Sequence, residues 1–564
     1  MAFSVTDRFE ELRGKQTQFT TLWNEIGQRT FPRKPNASFQ SFLDFTDLIA
    51  GDNYDSTLRR GLIDHATGTA SLMFPVGEKG FNFKAPRGIA STGEKTPGML
   101  KRIWRRALKM SDKGPAQTFY EECREELNYQ LRSNSNFRPI FDEACLERVA
   151  FGTSGLYSEW KADKDRLHFR SLPVNTYCLD VDSCGDVNGF YYCVAYTPEQ
   201  AAQEWGKDKL PDEVKDALTN DDKKAEKSDY IVGVKEVMAW DEDAKKEAGG
   251  KKFLLKVEHR NKKTPVHTEG YHELPASFSR YLSVTGSPYG FSPVFLILPE
   301  VRRLYRQNEL ADKIGLATLA PPITALSTLK GRIKRGPLGI TYVDDMADAP
   351  QVMTNATGDF KIGLERMESA RNDIEKALHL DFFKMFANLD DPKITATVAR
   401  LMEAERATGL GSPYERLTSD QVGPQVLRGF SLLYRNGKLP KPPDEVFVRD
   451  EDDNVITNEL TDQEEILLPE VGYENRLITA LKASENLAYA EWFEMIGSKI
   501  FEIAPEEIAN LDTHHITRRT FANTVGDPKG LRPEHEVRET KNKMAERAEQ
   551  AEETAGALEA IKAA

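Results

Sequence analysis

The spacing of hydrophobic residues changes twice along this chain of 564 residues. Up to about residue 150 they recur at helical spacing, as Phe19, Leu22, Trp23 and Ile26 do. From 154 to 283, short runs of β-forming residues alternate or bunch between turn residues, which predicts antiparallel strands. Helical spacing returns after residue 290. A β-rich region between two helical regions predicts an α+β fold.

A long helix is predicted over 291–320. The segment that leads into it reads GSPYGFSPVFLILP, and its glycines and prolines argue against regular structure there. Pro299 closes this segment and is expected at the helix N-terminus, where a missing N–H costs nothing. The helix is expected to end before Pro321 and Pro322.

A second long helix is predicted over 364–388. The segment between the two helices, 321–363, is rich in Gly and Pro, which predicts a loop-rich insert. The second helix shows an apolar stripe formed by Met367, Ile374, Leu378, Phe382 and Phe386.

Helical spacing continues over 393–437 but is interrupted by Gly409–Pro413 and Gly423–Pro424. An interior proline costs about 3 kcal/mol, so kinks or breaks are expected there. Lys207–Ser228 is rich in Lys and Asp and is predicted to be a surface loop. The last residues, 533–564, are helix-prone with a weak apolar stripe, so they are poorly able to pack alone.

The charge balance favours some partners over others. The formal net charge is −13, which argues against tight, sequence-independent binding of DNA, because such proteins usually carry a basic domain or patch. Acidity also keeps a protein soluble. The five cysteines are sparse, which indicates a reducing compartment. The first residues show no signal peptide, and the apolar run Val294–Leu298 is too short to span a membrane.

The sequence segments that resemble motifs of enzymatic chemistry each lack a required feature. GIASTGEKT at 88–96 resembles a phosphate-binding loop, but Glu94 stands between Gly93 and Lys95 and would meet the phosphate. The acidic segment from Asp180 to Asn188 lacks a bidentate Glu for calcium and is expected to be a turn between strands. The histidines and cysteines show no metal-ligand spacing. The sequence therefore predicts no catalytic residue, no metal and no cofactor.

Three phrases in a fixed order carry a resemblance to a known family. They read NYDSTLRRGLIDHATGTASLMFP at 53–75, the Gly/Pro entry to the long helix at 285–323, and KITATVAR… ending in GKLPKPP at 393–443. Together they resemble the head-to-tail connector (portal) proteins of short-tailed bacteriophages over about residues 15–540. Phe291 departs from the pattern, since a basic residue often stands there.

The resemblance implies a division of the chain. It places a wing at 1–290, stem helices at 291–320 and 364–388, and a clip at 321–363. A tunnel loop with a kinked long helix follows at 389–440, and a C-terminal wing or crown occupies 441–564. The implied protein is structural and not an enzyme.

The resemblance also implies an assembly and its partners. It implies a homododecameric ring at one capsid vertex of the virion, assembled in the host cytoplasm, through which double-stranded DNA is packaged and ejected. The expected partners are the terminase motor, tail adaptors, and capsid and scaffolding proteins, with no membrane. Since DNA must slide, an acidic channel wall with few basic rings is expected.

Two groups of residues are candidate contacts in that assembly. The resemblance implies a tunnel loop facing DNA, formed by Asn388, Asp390, Asp391 and Lys393, although any helix–turn–helix would look the same. A basic cluster in the predicted clip could meet DNA, meet an acidic tail adaptor, or be a solvated loop. It consists of Lys330, Arg332, Lys334 and Arg335.

Two other classes of protein stay open as alternatives. A metal-dependent enzyme that processes nucleic acid would need clustered carboxylates near 180–188 or 388–391. A capsid or scaffolding protein is the second alternative, but scaffolds are usually more uniformly helical than this chain.

Overall fold

The computed structural model describes most of the chain up to residue 473. The described residues are 4–30, 55–75, 80–86, 115–220, 223–238, 240–319, 323–330, 351–352, 360–381, 411–448 and 463–473, with further positions at 333, 342–343, 345, 347, 349–350, 383, 455, 457–458, 494, 516–517 and 520.

Helices and antiparallel sheets are mixed in these residues, which confirms the α+β class. The finer division into wing, stem, clip and crown stays a prediction. The helices are α1 Val5–Thr30, α2 Thr57–Met73, α3 Pro115–Ser133, α4 Phe137–Phe151, α5 Pro198–Trp205, α6 Asp212–Thr219, α7 Glu242–Glu247, α8 Pro293–Leu319, α9 Phe360–Ala377 and α10 Gly423–Arg435. The strands are β1 Phe81–Lys84, β2 Thr153–Lys161, β3 Arg166–Leu172, β4 Tyr177–Val181, β5 Val187–Tyr196, β6 Ser228–Glu236, β7 Phe253–His259, β8 Thr264–Tyr271, β9 Ala276–Arg280, β10 Leu282–Ser283, β11 Gly290–Phe291, β12 Ile323–Thr324, β13 Gln351–Val352, β14 Thr457–Asn458, β15 Gln463–Glu464 and β16 Glu470–Tyr473.

The β-rich region forms two main sheets. Strands β4 to β8 make a five-stranded sheet in sequence order, and β2 lies between β3 and β9 in a three-stranded one. The central strands of the five-stranded sheet, β5, β6 and β7, are buried on both faces. Helix α1 covers one face, where Val5 and Phe9 pack on Tyr191 and Ile231. The other face belongs to the main core, which is why the strands read as bunched apolar runs.

The acidic segment after Asp180 is a turn between β4 and β5, as predicted. The Asp182 carboxylate accepts hydrogen bonds from the N–H groups of Cys184 (2.8 Å) and Asp186 (2.9 Å). Asp180 itself accepts from the Arg8 guanidinium of α1. Hydrogen bonds and an ion pair therefore account for these carboxylates without a cation.

The start of α8 corrects the prediction for Pro299. The helix begins at Pro293, so Pro299 lies inside it, and Gly290 is part of the short strand β11. Ser292 precedes the helix, and its hydroxyl accepts the N–H of Val294 at 2.9 Å. Proline removes one helical hydrogen bond, but burial of each large apolar side chain contributes about 1.5–3 kcal/mol. The buried side chains that outweigh Pro299 are Val294, Leu298, Val301 and Leu304.

Two other predictions for local structure have different outcomes. An irregularity near Gly423 is confirmed, because residues 411–417 are helical and a π-helical segment, Thr418–Val422, precedes α10. The surface loop at Lys207–Ser228 is wrong in part, since α6 lies within it. Val214 of α6 is 3% exposed and Leu218 packs against the same core, which docks the helix.

Residues far apart in sequence share one core. β1 pairs antiparallel with β16, so that Phe81 faces Tyr473 across the ladder. Tyr120 of α3 donates its hydroxyl to the Leu467 carbonyl at 2.7 Å. The helical N-terminal region and the segment after α10 therefore pack in the same core.

Candidate functional site

Helix α8 is buried in its first half and exposed in its second. Val301 and Leu304 are at most 1% exposed, whereas Leu310 and Leu316 are 51% and 66% exposed. Leu296, near the start of the helix, is 64% exposed on the side away from the core. A soluble protein normally exposes large apolar side chains singly, so several on one helix indicate a surface that another molecule covers.

Helix α9 packs along α8. Met367, Ala370 and Ile374 are at most 4% exposed and form its buried side. The short strands β12 and β13 pair through Ile323 and Val352, so the two ends of the segment between α8 and α9 meet. The helices and this segment therefore form one helical hairpin, which we call the helix pair.

Asp55, two residues before α2, contacts both members of the helix pair. Its Oδ2 accepts from Asn308 Nδ2 of α8 (3.2 Å) and from Arg371 Nε of α9 (3.0 Å). Its Oδ1 accepts the Thr57 N–H at 2.8 Å, and its main-chain oxygen accepts the Tyr305 hydroxyl of α8 at 3.0 Å. We call these five residues the Asp55 clamp.

The electrostatics of the clamp favour a charged carboxylate. The side chain of Asp55 is 5% exposed. Burial alone would raise the pKa of Asp55, but the hydrogen bonds from Thr57 and Arg371 outweigh it and hold the pKa below its ordinary value. Asp55 is therefore ionised at neutral pH and attracts Arg371.

Helix α2 is the surface on which the C-terminal end of α9 rests. Gly61 faces α9 so closely that a β-carbon there would lie 2.8 Å from a methyl of Leu378. His65 Nδ1 lies 2.8 Å from the Leu378 carbonyl, so the neutral imidazole donates its N–H to that oxygen. Burial lowers the pKa of His65 to about 4, against the opposing effect of this hydrogen bond.

Helix α1 connects the five-stranded sheet to α8. At its N-terminus, the buried Glu258 carboxylate of β7 accepts the N–H groups of Val5 (3.1 Å) and Thr6 (2.9 Å), which are helix-start donors that need a partner. Near its C-terminus, Glu25 accepts from Arg302 Nε of α8 at 2.7 Å. This hydrogen bond lowers the pKa of Glu25, and burial of the carboxylate opposes it.

One of the candidate residues from the sequence, Lys330, is among the described residues. Lys330 is exposed directly after the turn Ser327–Leu329 and lies in the segment between α8 and α9. The remaining candidates lie outside the described residues, and their roles stay predictions. These are Arg332, Lys334, Arg335, Asn388, Asp390, Asp391 and Lys393.

A cavity of about 540 Å³ lies between the five-stranded sheet and strands β2 and β3. Several of its charged side chains form ion pairs. Lys161 pairs with Glu159 (3.1 Å) and Glu204 (3.3 Å), and Arg435 pairs with Glu273 (2.8 Å). Charges neutralised in this way fit a structural cavity better than a catalytic centre.

The described part of the chain gives no support to a metal-dependent enzyme. No group of three or more His, Cys, Asp or Glu side chains there could hold a metal ion. The carboxylates of Asp180 and Asp182 are paired or hydrogen-bonded as described above, and those at 388–391 lie outside the described residues. In the same described part, no helix is long and apolar enough to cross a lipid bilayer.

The sequence pattern predicted helix α2 but not its contacts with α9. The apolar face through Leu58 and Leu62 was visible, whereas the contacts of Asp55, Gly61 and His65 with α9 were not. The available signal was small and polar residues at helical spacing on a second face, which indicates a close approach of another helix.

Comparison with known proteins gives a family and two relatives. A family described as "Bacteriophage head to tail connecting protein" matches residues 3–532. The "Portal protein" of Salmonella phage epsilon15 is 26% identical over 356 residues, which cover 59% of this chain and 61% of that protein. The "Probable portal protein" of Bordetella phage BPP-1 is 26% identical over 326 residues, or 57% of this chain and 58% of that protein. The chain thus spans about three fifths of the length of these relatives.

A solved structure, "Virion of native gene transfer agent (GTA) particle", is also similar. It shares 11% sequence identity and covers 65% of this chain and 78% of its own, with a TM-score of 0.29. A TM-score this low carries no structural argument.

Proposed function

Since this chain belongs to the family of bacteriophage head to tail connecting proteins, we propose that it builds a portal. Identical subunits close into a ring around a channel at one capsid vertex, and double-stranded DNA passes through this channel during packaging and ejection. The family match over residues 3–532 is the observation that carries the proposal. The two relatives called portal proteins support it. The role is structural and not enzymatic.

The exposed apolar side chains of α8 supply the contacts between subunits. Leu296 and Leu310 are fourteen residues apart, about four helical turns, so they lie on the same side of the helix. A ring needs two different surfaces on each subunit that meet and close after a whole number of copies. The proposal assigns one of these surfaces to the exposed side of α8.

The helix pair takes the role of the stem in this proposal. α8 and α9 line or surround the channel, and the segment between them, which includes Lys330, is the clip. The β-rich region around the five-stranded sheet is the wing, and the chain after α10 contributes to the crown. The number of subunits is expected to be twelve, as in the family.

The partners follow from the same assignment. The terminase motor would dock on the ring during packaging, tail adaptors would bind the clip, and capsid and scaffolding proteins would surround the wing. The mature ring would be part of the virion after assembly in the host cytoplasm. The net charge of −13 suits a channel along which DNA slides, because few phosphate contacts mean weak binding of DNA.

The first experiment is a measurement of native mass, with electron microscopy of the purified particles. Rings with a central hole, at about twelve times the 63.6 kDa chain mass, are expected. The same rings should bind double-stranded DNA weakly at physiological salt. A compact dimer that cleaves DNA with a divalent metal would overturn the proposal, and nanomolar DNA affinity would overturn the sliding channel.

A further inference from the structure

We infer that the Asp55 clamp fixes the orientation of α8 and α9 relative to α2, and that Asp55 thereby sets the subunit number at which the ring closes. The inference rests on the proposed portal function. It adds a positioning role for one residue that the family match does not assign.

The clamp joins three helices at one buried carboxylate. Asp55 accepts donors from α8, from α9 and from the start of α2, at 3.2, 3.0 and 2.8 Å. The second Arg371 nitrogen, Nη2, lies 2.9 Å from the same Oδ2 atom that accepts from Nε. Neither Asn nor Glu could make all of these contacts. Asn has one acceptor oxygen, so its NH2 group would face either Arg371 or the Thr57 N–H, and Glu would place its oxygens about one carbon–carbon bond further out.

The position of the clamp lets it determine the orientation of the helix pair. α2 holds α9 at a second point, where His65 donates to the Leu378 carbonyl. Two separate attachments fix the orientation of the helix pair relative to α2, whereas a single attachment would let the pair rotate about that point. α8 continues for eleven residues beyond Asn308, about 16 Å at 1.5 Å per residue.

Ring closure depends on small angles. With twelve subunits, each is rotated by about 30° from its neighbour, and adding or removing one subunit changes this rotation by about 2–3°. A tilt of that size moves the end of α8 by only about 0.6 Å over its exposed length. We expect the loss of one hydrogen bond at the clamp to allow a displacement of at least this size. The clamp therefore restricts the rotation between neighbouring subunits, on which the subunit number depends.

The test is the variant Asp55→Asn, measured in two ways. Native mass spectrometry of assembled rings should give one subunit number for the unmodified protein and at least two for the variant. Spin labels at Asp64 of α2 and Asp312 of α8, both exposed, should show a distance distribution at least twice as broad in the variant. The labelled protein carries Cys184→Ser to remove the exposed native thiol.

A matched control removes another carboxylate that contacts α8. Glu25→Gln removes the negative charge and one of the two oxygens that accept from Arg302 but leaves the Asp55 clamp intact, and it should keep a single subunit number and the narrow distance distribution. Asn308→Ala removes the α8 donor to the Asp55 carboxylate and leaves the Tyr305 hydrogen bond to the Asp55 main chain. It replaces Asp55→Asn if that variant fails to fold. It should broaden the distances as well.

The outcomes separate the two proposals. Rings of Asp55→Asn with the same single subunit number as the unmodified protein would overturn the inference, even if the thermal stability falls. If the unmodified protein forms no ring under any condition, the portal function fails. The distances between spin labels still test the clamp in that case, and unchanged distributions would overturn it too.

Discussion

The five-stranded sheet and the helix pair use their apolar residues in different ways. Ile231 of β6 and Val257 of β7 are at most 1% exposed, because α1 covers one face of the sheet and the main core covers the other. In the helix pair, Leu310 and Leu316 are more than half exposed. The sheet is complete within one subunit, whereas the helix pair leaves apolar surface that a second subunit can bury.

This comparison explains where each region derives its stability. The sheet depends on contacts within the chain, including the Glu258 carboxylate that holds the N-terminus of α1. The helix pair is attached at its base by the Asp55 clamp and by His65, and its outer half gains from assembly. Substitutions in the two regions should therefore separate folding from ring formation.

The largest effect is expected for Ile231→Asp in the sheet. Ile231 is fully buried between Phe9 and the other strands, so the change removes apolar contacts and places a carboxylate where it has no partner. The expected loss is about 4 kcal/mol or more of the free energy of unfolding. Circular dichroism with urea denaturation measures it.

The matched control for this change is Lys227→Asp, which introduces the same side chain at the exposed position before β6. It should change stability by about 0.5 kcal/mol or less. Equal losses from the two substitutions would contradict the description of the sheet as a region that is complete within one subunit.

The next largest effect is expected for the double substitution Leu296→Asp with Leu310→Asp, two exposed residues on the same side of α8. Both side chains are exposed in the single subunit, so the melting temperature of the monomer should stay within about 2 °C. Two charges in an apolar contact between subunits should weaken assembly at least a hundredfold, about 3 kcal/mol per contact. Mass photometry over a range of concentrations measures it.

Val284→Asp is the control for that experiment. Val284 is 46% exposed and lies in the turn between β10 and β11, outside the helix pair. Assembly should be unaffected. If Val284→Asp prevents ring formation while the double variant of α8 does not, the subunit contact lies elsewhere.

The sequence predicted the regular elements better than their contacts. The α+β class and the helix within 291–320 follow from local periodicity, and the irregularity near Gly423 follows from its glycine and proline. Pro299 was misplaced because its local cost is outweighed by burial of side chains such as Val301, which depends on the whole core. Periodicity carries no information about such long-range burial.

The candidate site was still harder to predict. The pairing of β1 with β16 and the contacts of Asp55 with Asn308 and Arg371 join residues more than 250 positions apart. A single sequence does not show which distant residues meet in such contacts. The sequence phrase at 53–75 indicated the family but did not indicate the structural role of Asp55 within it.

The smallest effect is expected from pH, at the base of the helix pair. His65 is 3% exposed, contacts the rings of Tyr281 and Phe383, and lies near the positive charge of Arg148. Its pKa of about 4 in the folded chain lies below the ordinary value of 6.5. Between these two values the unfolded chain binds a proton that the folded chain does not, so stability must fall as the pH falls.

At pH 5.5, His65 should account for a loss of about 1 kcal/mol relative to pH 7.5. Other histidines with lowered pKa values, His168 among them, add to the total, so the contribution of His65 must be measured as a difference. His65→Asn can still donate to the Leu378 carbonyl but does not titrate. The urea stability of this variant should therefore fall by about 1 kcal/mol less than that of the unmodified protein over the same pH range. Identical pH dependence in both proteins would show that the base of the helix pair opens without His65 having to be charged.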